Sequence, residues 1–263
     1  MTRWKAFLIH LGLSAILYVV LLYLIVFLWY PQPYFAADGG WQAVRLITGV
    51  DLVLGPMLTL IVFKAGKPGL RRDLSLIGIL QVIALVWGTW LVYEQRIAMV
   101  AYANGAFYTL NTEQVLDAGG RAPAVAAQSS TTPPYAFVRM PADARDRQGP
   151  INIKSLFSGK LVHQLGEHYE PFGSSNLPEV LAHAVKIENY PAVSERNTKN
   201  IENFLARHGG EIQNYAFLQL RCRYQELLLA VRRADGSIID TLDIDPSITA
   251  APSSPVTDKR VAK

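Results

Sequence analysis

A chain of 263 residues, 51% apolar and only 17% charged, averages a greasy front and an ordinary globular back. Its formal charge of +4 does not mark a nucleic-acid binder, because several cations flank apolar spans and no basic stretch is interleaved with aromatics. The single cysteine, Cys222, excludes an intrachain disulfide, and the sequence contains no Walker loop, no G-x-S-x-G and no H-E-x-x-H. The reading is therefore non-enzymatic, with no catalytic, cofactor-binding or metal residues assigned.

In chain order, apolar runs at about 6–29, 43–63 and 74–93 come first. Each reaches the ~20 residues a helix needs to cross a hydrocarbon layer of about 30 Å. Arg3 and Lys5 precede the first run, and Lys64, Lys67, Arg71 and Arg72 lie between the second and third. The connection 30–42 carries only Asp38. The positive-inside rule then predicts a cytoplasmic N-terminus and a cytoplasmic second loop, with 30–42 and everything after Tyr93 outside. Trp29, Tyr30, Trp41, Trp90 and Tyr93 fall at the outer boundary and Trp4 at the inner one. The first run is far longer than the ~7–15 residues of a signal-peptide core, and Phe35-Ala36-Ala37 offers no small-x-small cleavage site, so a retained signal-anchor is expected. Pro31 and Pro33 should end the first helix, and Gly55-Pro56 should kink the second near mid-membrane. The turn at 64–69 makes the second and third helices an antiparallel hairpin.

After Tyr93 the pattern changes. Strands are expected at Ile97–Ala103, Ala106–Leu110 and Tyr135–Met140, and a short helix at Thr112–Ala118 with Thr112 as its N-cap. Residues 119–134 lack periodicity and read as a flexible loop. Helices are expected at Ile151–Phe157 and Leu177–Ile187, and a longer one at Ser194–His208, capped by Ser194 and stopped by Gly209-Gly210. Tyr215–Tyr224 reads as a strand beside a hairpin of Glu226–Arg233 and Ser237–Ile244, turned by Asp235-Gly236. Cys222, alternating with Arg221 and Arg223, is expected as a buried core thiol. The predicted fold is membrane α, with three transmembrane helices, followed by an α+β periplasmic domain. Residues 1–95 form the first part, 96–248 the second, and 249–263 a disordered tail.

Polar residues within the apolar runs are the sharpest functional clue. Arg45, Thr48, Asp51, Gly55 and Thr59 fall within one sector of about 120° on the second helix. Asp51 lies near the bilayer midplane, where an acid costs at least ~2.5–3.5 kcal/mol unless paired or neutral, so it should face protein. On the third helix Gly78, Gln81, Leu85 and Gly88 share a face that permits close approach. Two readings stand together. Asp51 is neutral and bonded to Gln81 or a backbone carbonyl as bundle glue, or the stripe docks another transmembrane segment. Arg45 snorkels to the outer boundary, and His10 and Ser14 are read as hydrogen-bonding groups near the cytoplasmic end of the first helix. His163, Glu167, His168 and Glu170 match no metal spacing and are read as solvated loop residues.

The opening Arg3 to Leu11 (RWKAFLIHL), the Trp29-Tyr30-Pro31 turn and above all Thr48 to Lys64 (TGVDLVLGPMLTLIVFK) resemble the type IV pilin accessory proteins. Lys67 to Leu74 (KPGLRRDL) and Gln81 match the same pattern. These are inner-membrane proteins of Gram-negative bacteria, so the resemblance implies a multi-pass inner-membrane protein that assists or tunes type IV pilin assembly. Its implied partners are the major pilin, other inner-membrane pilus components and the lipid bilayer. Arg45, Thr48, Asp51, Gly55, Thr59 and Gln81 are the candidate intramembrane contacts for a pilin helix, and the outer domain would read the pilin head. The alternative is a membrane-anchored periplasmic sensor or regulatory subunit acting through a partner.

Overall fold

The computed structural model describes residues 2–129, 131–139, 161–185, 187 and 195–243. Three helices in it are long and apolar enough to cross a membrane: α1 (Arg3–Trp29), α3 (Gly40–Val62) and α4 (Leu70–Glu94). They match the apolar runs and extend a few residues beyond them, since polar end residues such as Arg3, Gln42 and Arg71 continue the same hydrogen-bond ladder. The Thr2 hydroxyl caps α1 by accepting from the Lys5 N–H at 3.3 Å. A single short turn, α2 (Tyr34–Ala37), occupies the connection between α1 and α3 and buries Tyr34, Phe35 and Ala37. The local disturbance at Gly55-Pro56 takes a definite form. Thr48–Leu54 winds as π-helix directly before the proline, with the Gly55 N–H reaching the Val50 carbonyl. Wider winding accommodates a residue that lacks its own N–H and crowds the preceding turn.

The chain divides into two compact units. The first contains the apolar helices, Tyr108–Pro171 and Cys222–Gln225. Strands β1 (Ile97–Ala103), β3 (Tyr135–Val138), β4 (Tyr169–Pro171) and, from Tyr108 on, β2 (Ala106–Asn111) belong to it and lie in the order β4-β3-β1-β2. β1 and β3 are parallel, pairing Ala101 with Ala136, and β3 and β4 are antiparallel, pairing Phe137 with Glu170. Asn104 and Gly105, both at positive φ, link β1 to β2, the backbone a two-residue turn of this kind requires. Helices α5 (Thr112–Ala118) and α6 (Ala122–Gln128) cover a core of Met99, Ala101, Leu110, Val125, Val138 and Tyr169.

The second unit holds α7 (Leu177–Leu181), α8 (Glu195–His208) and the antiparallel strands β5 (Tyr215–Arg221), β6 (Glu226–Arg232) and β7 (Ile238–Leu242). Ile201 and Phe204 on the inner face of α8 pack onto Tyr215, Phe217 and Leu228.

Helices followed by a mixed sheet with packed helices agree with the predicted fold class. Local expectations needed correction. Asn111, not Thr112, caps α5, and its box is closed by Gln114. Residues 119–134 contain α6, because Pro123 suits a first turn, alanine favours helix, and Ala122 and Val125 find a core to fill. The helix expected over Leu177–Ile187 stops at Leu181, and Val185 turns extended to bridge Phe217. The strand from Tyr215 ends at Arg221, because the Cys222 N–H donates to the Gln225 carbonyl and closes a turn. Cys222 is therefore a half-buried turn residue rather than a strand-core thiol. The helix at 151–157, the Ser194 cap and the tail at 249–263 lie outside the described residues.

Candidate functional site: a polar cluster among the apolar helices

Helices α1, α3 and α4 meet through side chains that can hydrogen-bond where little else can. His10 on α1 places Nδ1 2.6 Å from the Thr59 hydroxyl of α3 and Nε2 2.8 Å from Gln81 Oε1 of α4. An amide oxygen only accepts, so Nε2 carries the proton, and in the neutral ring Nδ1 accepts from Thr59. The Gln81 amide nitrogen donates at 3.4 Å to the Ser14 hydroxyl and at 3.4 Å to the Asp51 backbone carbonyl. Gly55 makes this approach possible: a Cβ there would stand 2.4 Å from Gln81 Nε2.

Asp51 sits in the π-helical turn and is 2% exposed. Its Oδ1 is buried without a hydrogen-bond partner. Gln81 meets the Asp51 main-chain carbonyl and also acts on the Asp51 carboxyl group, whose Oδ1 is left open. Of the predicted residues, Asp51, Gly55, Thr59 and Gln81 come together. Thr48 instead donates to the Val44 carbonyl of its own helix at 2.7 Å, and Arg45 is exposed. His10 and Ser14 belong to the cluster although the sequence reading placed them near the end of their helix. Their spacing of one helical turn on α1 was the available signal.

A second network ties the ends of the helices to the sheet of the same unit. The Tyr30 hydroxyl donates to the Val92 carbonyl at 3.3 Å, and the Tyr34 and Tyr135 hydroxyls meet at 2.5 Å. Asp38, 2% exposed, accepts at Oδ1 from the Thr109 hydroxyl and from the Arg223 backbone N–H, each at 2.8 Å. Burial pushes the Asp38 carboxyl above its ordinary range, opposed by these two hydrogen bonds and the Arg223 charge. Burial likewise pushes the Tyr30 phenol up to about 12 and raises the Cys222 thiol. Asp38→Leu strands both donors and is expected to cost about 1–3 kcal/mol. Asp38→Asn, which keeps an acceptor and discards the charge, should be close to neutral. Thermal unfolding of the full chain in detergent distinguishes the two.

The histidine and acid group near the third and fourth strands is engaged in other ways. His163 stacks on Tyr108 with ring centroids 4.1 Å apart, and His168 Nε2 lies 3.4 Å from Glu167. Arg139 pairs with Glu170 at 2.8 Å and holds its carboxyl below the usual range. Among the described residues, no three His, Cys, Asp or Glu side chains converge as metal ligands do.

Comparison with known sequences places the helical front in a recognised company. The family described as Fimbrial assembly protein FimB matches residues 1–39. The chain is similar to fimbrial assembly proteins of Dichelobacter nodosus, at 33% identity over 111 residues, or 41% of its length. The match covers 84% of the protein of serogroups C1 and C2. It spans 43%, less than half, of the serogroup E1 and serogroup I proteins. No solved structure matches the chain.

Proposed function

Since this chain belongs to the fimbrial assembly protein family, we propose that it promotes type IV pilus assembly by binding the pilin subunit, without catalysis. It acts from the bacterial inner membrane, with α1, α3 and α4 as its spans. The positions of Arg3, Lys5, Lys64, Lys67, Arg71 and Arg72 support a cytoplasmic N-terminus and a periplasmic α+β domain. Residues 96–248 then face the pilin head, and the α3 stripe faces the pilin's membrane helix.

The observation that carries this reading is the open carboxyl oxygen of Asp51. A buried polar atom left unpaired costs about 1–3 kcal/mol, so a leucine would serve a purely structural bundle better. A partner helix bringing a donor or a shared proton to that atom turns the cost into recognition. Helix α4 is the one placed to yield to it, for along its length only Val92 is buried. Arg45 and Thr48, outside the closed part of the cluster, extend the same face toward the outer boundary.

Asp51→Leu in the native host is expected to lower surface piliation about tenfold, the effect of losing ~1.4 kcal/mol of contact. Electron microscopy or sheared-pilus yield measures it, with immunoblotting to hold protein level equal. Normal piliation at equal level would remove the carboxylate from the mechanism.

A further inference from the structure

A cavity of about 170 Å³ opens where the outer ends of the three apolar helices meet the Cys222–Gln225 turn. Its lower wall is aliphatic, from Ala43, Leu46 and Leu91, and its upper wall is polar, from Gln42, Gln95 and Arg223. We propose that this cavity seats the headgroup phosphate of a membrane phospholipid on Arg223, with the acyl chains lying outside it along the exposed Leu46 and Leu91.

The division of the lining matches the division of such a molecule. Leu46 and Leu91 are exposed, as are most side chains along α4, so lipid is the medium that reaches the lower wall. Trp29 and Tyr93, packed edge to face at 5.3 Å, and the exposed Trp41 mark the same level as the headgroup boundary, where aromatics gather. The Arg223 side chain is exposed and forms no ion pair with any described residue. Its backbone is fixed by the bond to Asp38, and the next residue is fixed too, since the Tyr224 N–H donates to the Ala37 carbonyl. Arginine suits phosphate through its planar set of donors. Asp38 also lines the cavity, and its Oδ1 is already engaged by the Thr109 hydroxyl and the Arg223 backbone N–H. The Tyr224 ring closes one side against Gly39, where a Cβ would lie 3.1 Å from it.

The inference rests on the reading of α1, α3 and α4 as membrane-crossing, and not on pilin binding. The test is native mass spectrometry of the full chain released from micelles containing phosphatidylglycerol. One retained lipid is expected on the wild-type chain. Arg223→Ala should lower its occupancy about tenfold, the fold-change that corresponds to ~1.4 kcal/mol. Leu46→Trp, which fills the cavity and leaves Arg223 in place, should lower it similarly. Arg71→Ala, at an exposed arginine outside the cavity, should leave it unchanged. Equal occupancy in all four proteins, or equal loss from Arg71→Ala, would mean only annular lipid and overturn the proposal. Displacement of the lipid by millimolar inorganic phosphate would overturn it in favour of a free-anion site. Recovery of the chain in the soluble fraction would overturn the membrane reading itself, whereas a piliation defect bears only on the pilin contact.

Discussion

Gly55→Leu is expected to unlock the three apolar helices, while Gly49→Leu, one and a half turns away on the same helix, is expected to leave them assembled. The contrast follows from what each added side chain meets. At Gly55 the first added carbon falls 2.4 Å from Gln81 Nε2 and 2.5 Å from Gln81 Oε1. At Gly49 nothing stands within 4 Å. Displacing the Gln81 amide releases its bonds to His10, Ser14 and the Asp51 carbonyl together. Interhelical hydrogen bonds in lipid average ~0.6 kcal/mol and reach ~1.7, and the added bulk must also be housed, so a loss of roughly 2–4 kcal/mol is expected. Thermal unfolding of the full chain in detergent measures the loss. Equal behaviour of the two variants would show that Gln81 relaxes elsewhere at no cost and that the cluster does not hold the helices.

The largest effect in the second unit is expected from Phe204→Ala. Phe204 is fully buried, with ring centroids 4.9 Å from His208, 5.0 Å from Tyr215 and 5.6 Å from Phe217. It is the residue through which α8 grips the sheet face formed by β5 and β6. Truncation of such a ring costs about 3–5 kcal/mol, from lost transfer energy and from the cavity left behind. Against a total of roughly 5–15 kcal/mol, that is a large part of the stability of a domain. Limited proteolysis of the full chain should show cleavage within 195–243 accelerated by about a hundredfold, as ~3 kcal/mol implies when cleavage follows opening. Leu116→Ala, at a residue 68% exposed in the other unit, should change little. Unaltered protection of Phe204→Ala would mean that α8 is not held by this ring.

How legible these features were depends on how local their causes are. The apolar helices were readable from composition and length, since each apolar run is far longer than a strand and matches a helix. The β6–β7 hairpin was readable because Asp235-Gly236 supplies the turn and Leu228 to Val231 form a run suited to burial on both faces. Gly55 and Gln81 were marked by helical period and by the oddity of polar groups in apolar spans. The one-turn spacing of His10 and Ser14 marked a polar face of α1, but that this face meets α3 and α4 depends on the packing of the three helices and is not contained in α1 itself. Asn104-Gly105, the gap between the expected strands Ile97–Ala103 and Ala106–Leu110, carries a turn signal as strong as Asp235-Gly236. Helix α6 escaped because alanine, proline and serine read as loop until a core for Ala122 and Val125 is known. Asp38 looked like a loop acid, and its burial depends on partners far away in the chain.

That last separation has a consequence for how the molecule is made. Translation delivers Asp38 early, yet the Arg223 N–H that it accepts from lies 185 residues further on. Thr109 and Tyr135 become available to Asp38 and Tyr34 midway, but until residues 223 and 224 are made the Asp38 carboxyl and the Ala37 carbonyl lack those backbone donors. A nascent chain halted before the Cys222–Gln225 turn therefore keeps its first connecting segment open to protease, and only synthesis of that turn can latch it.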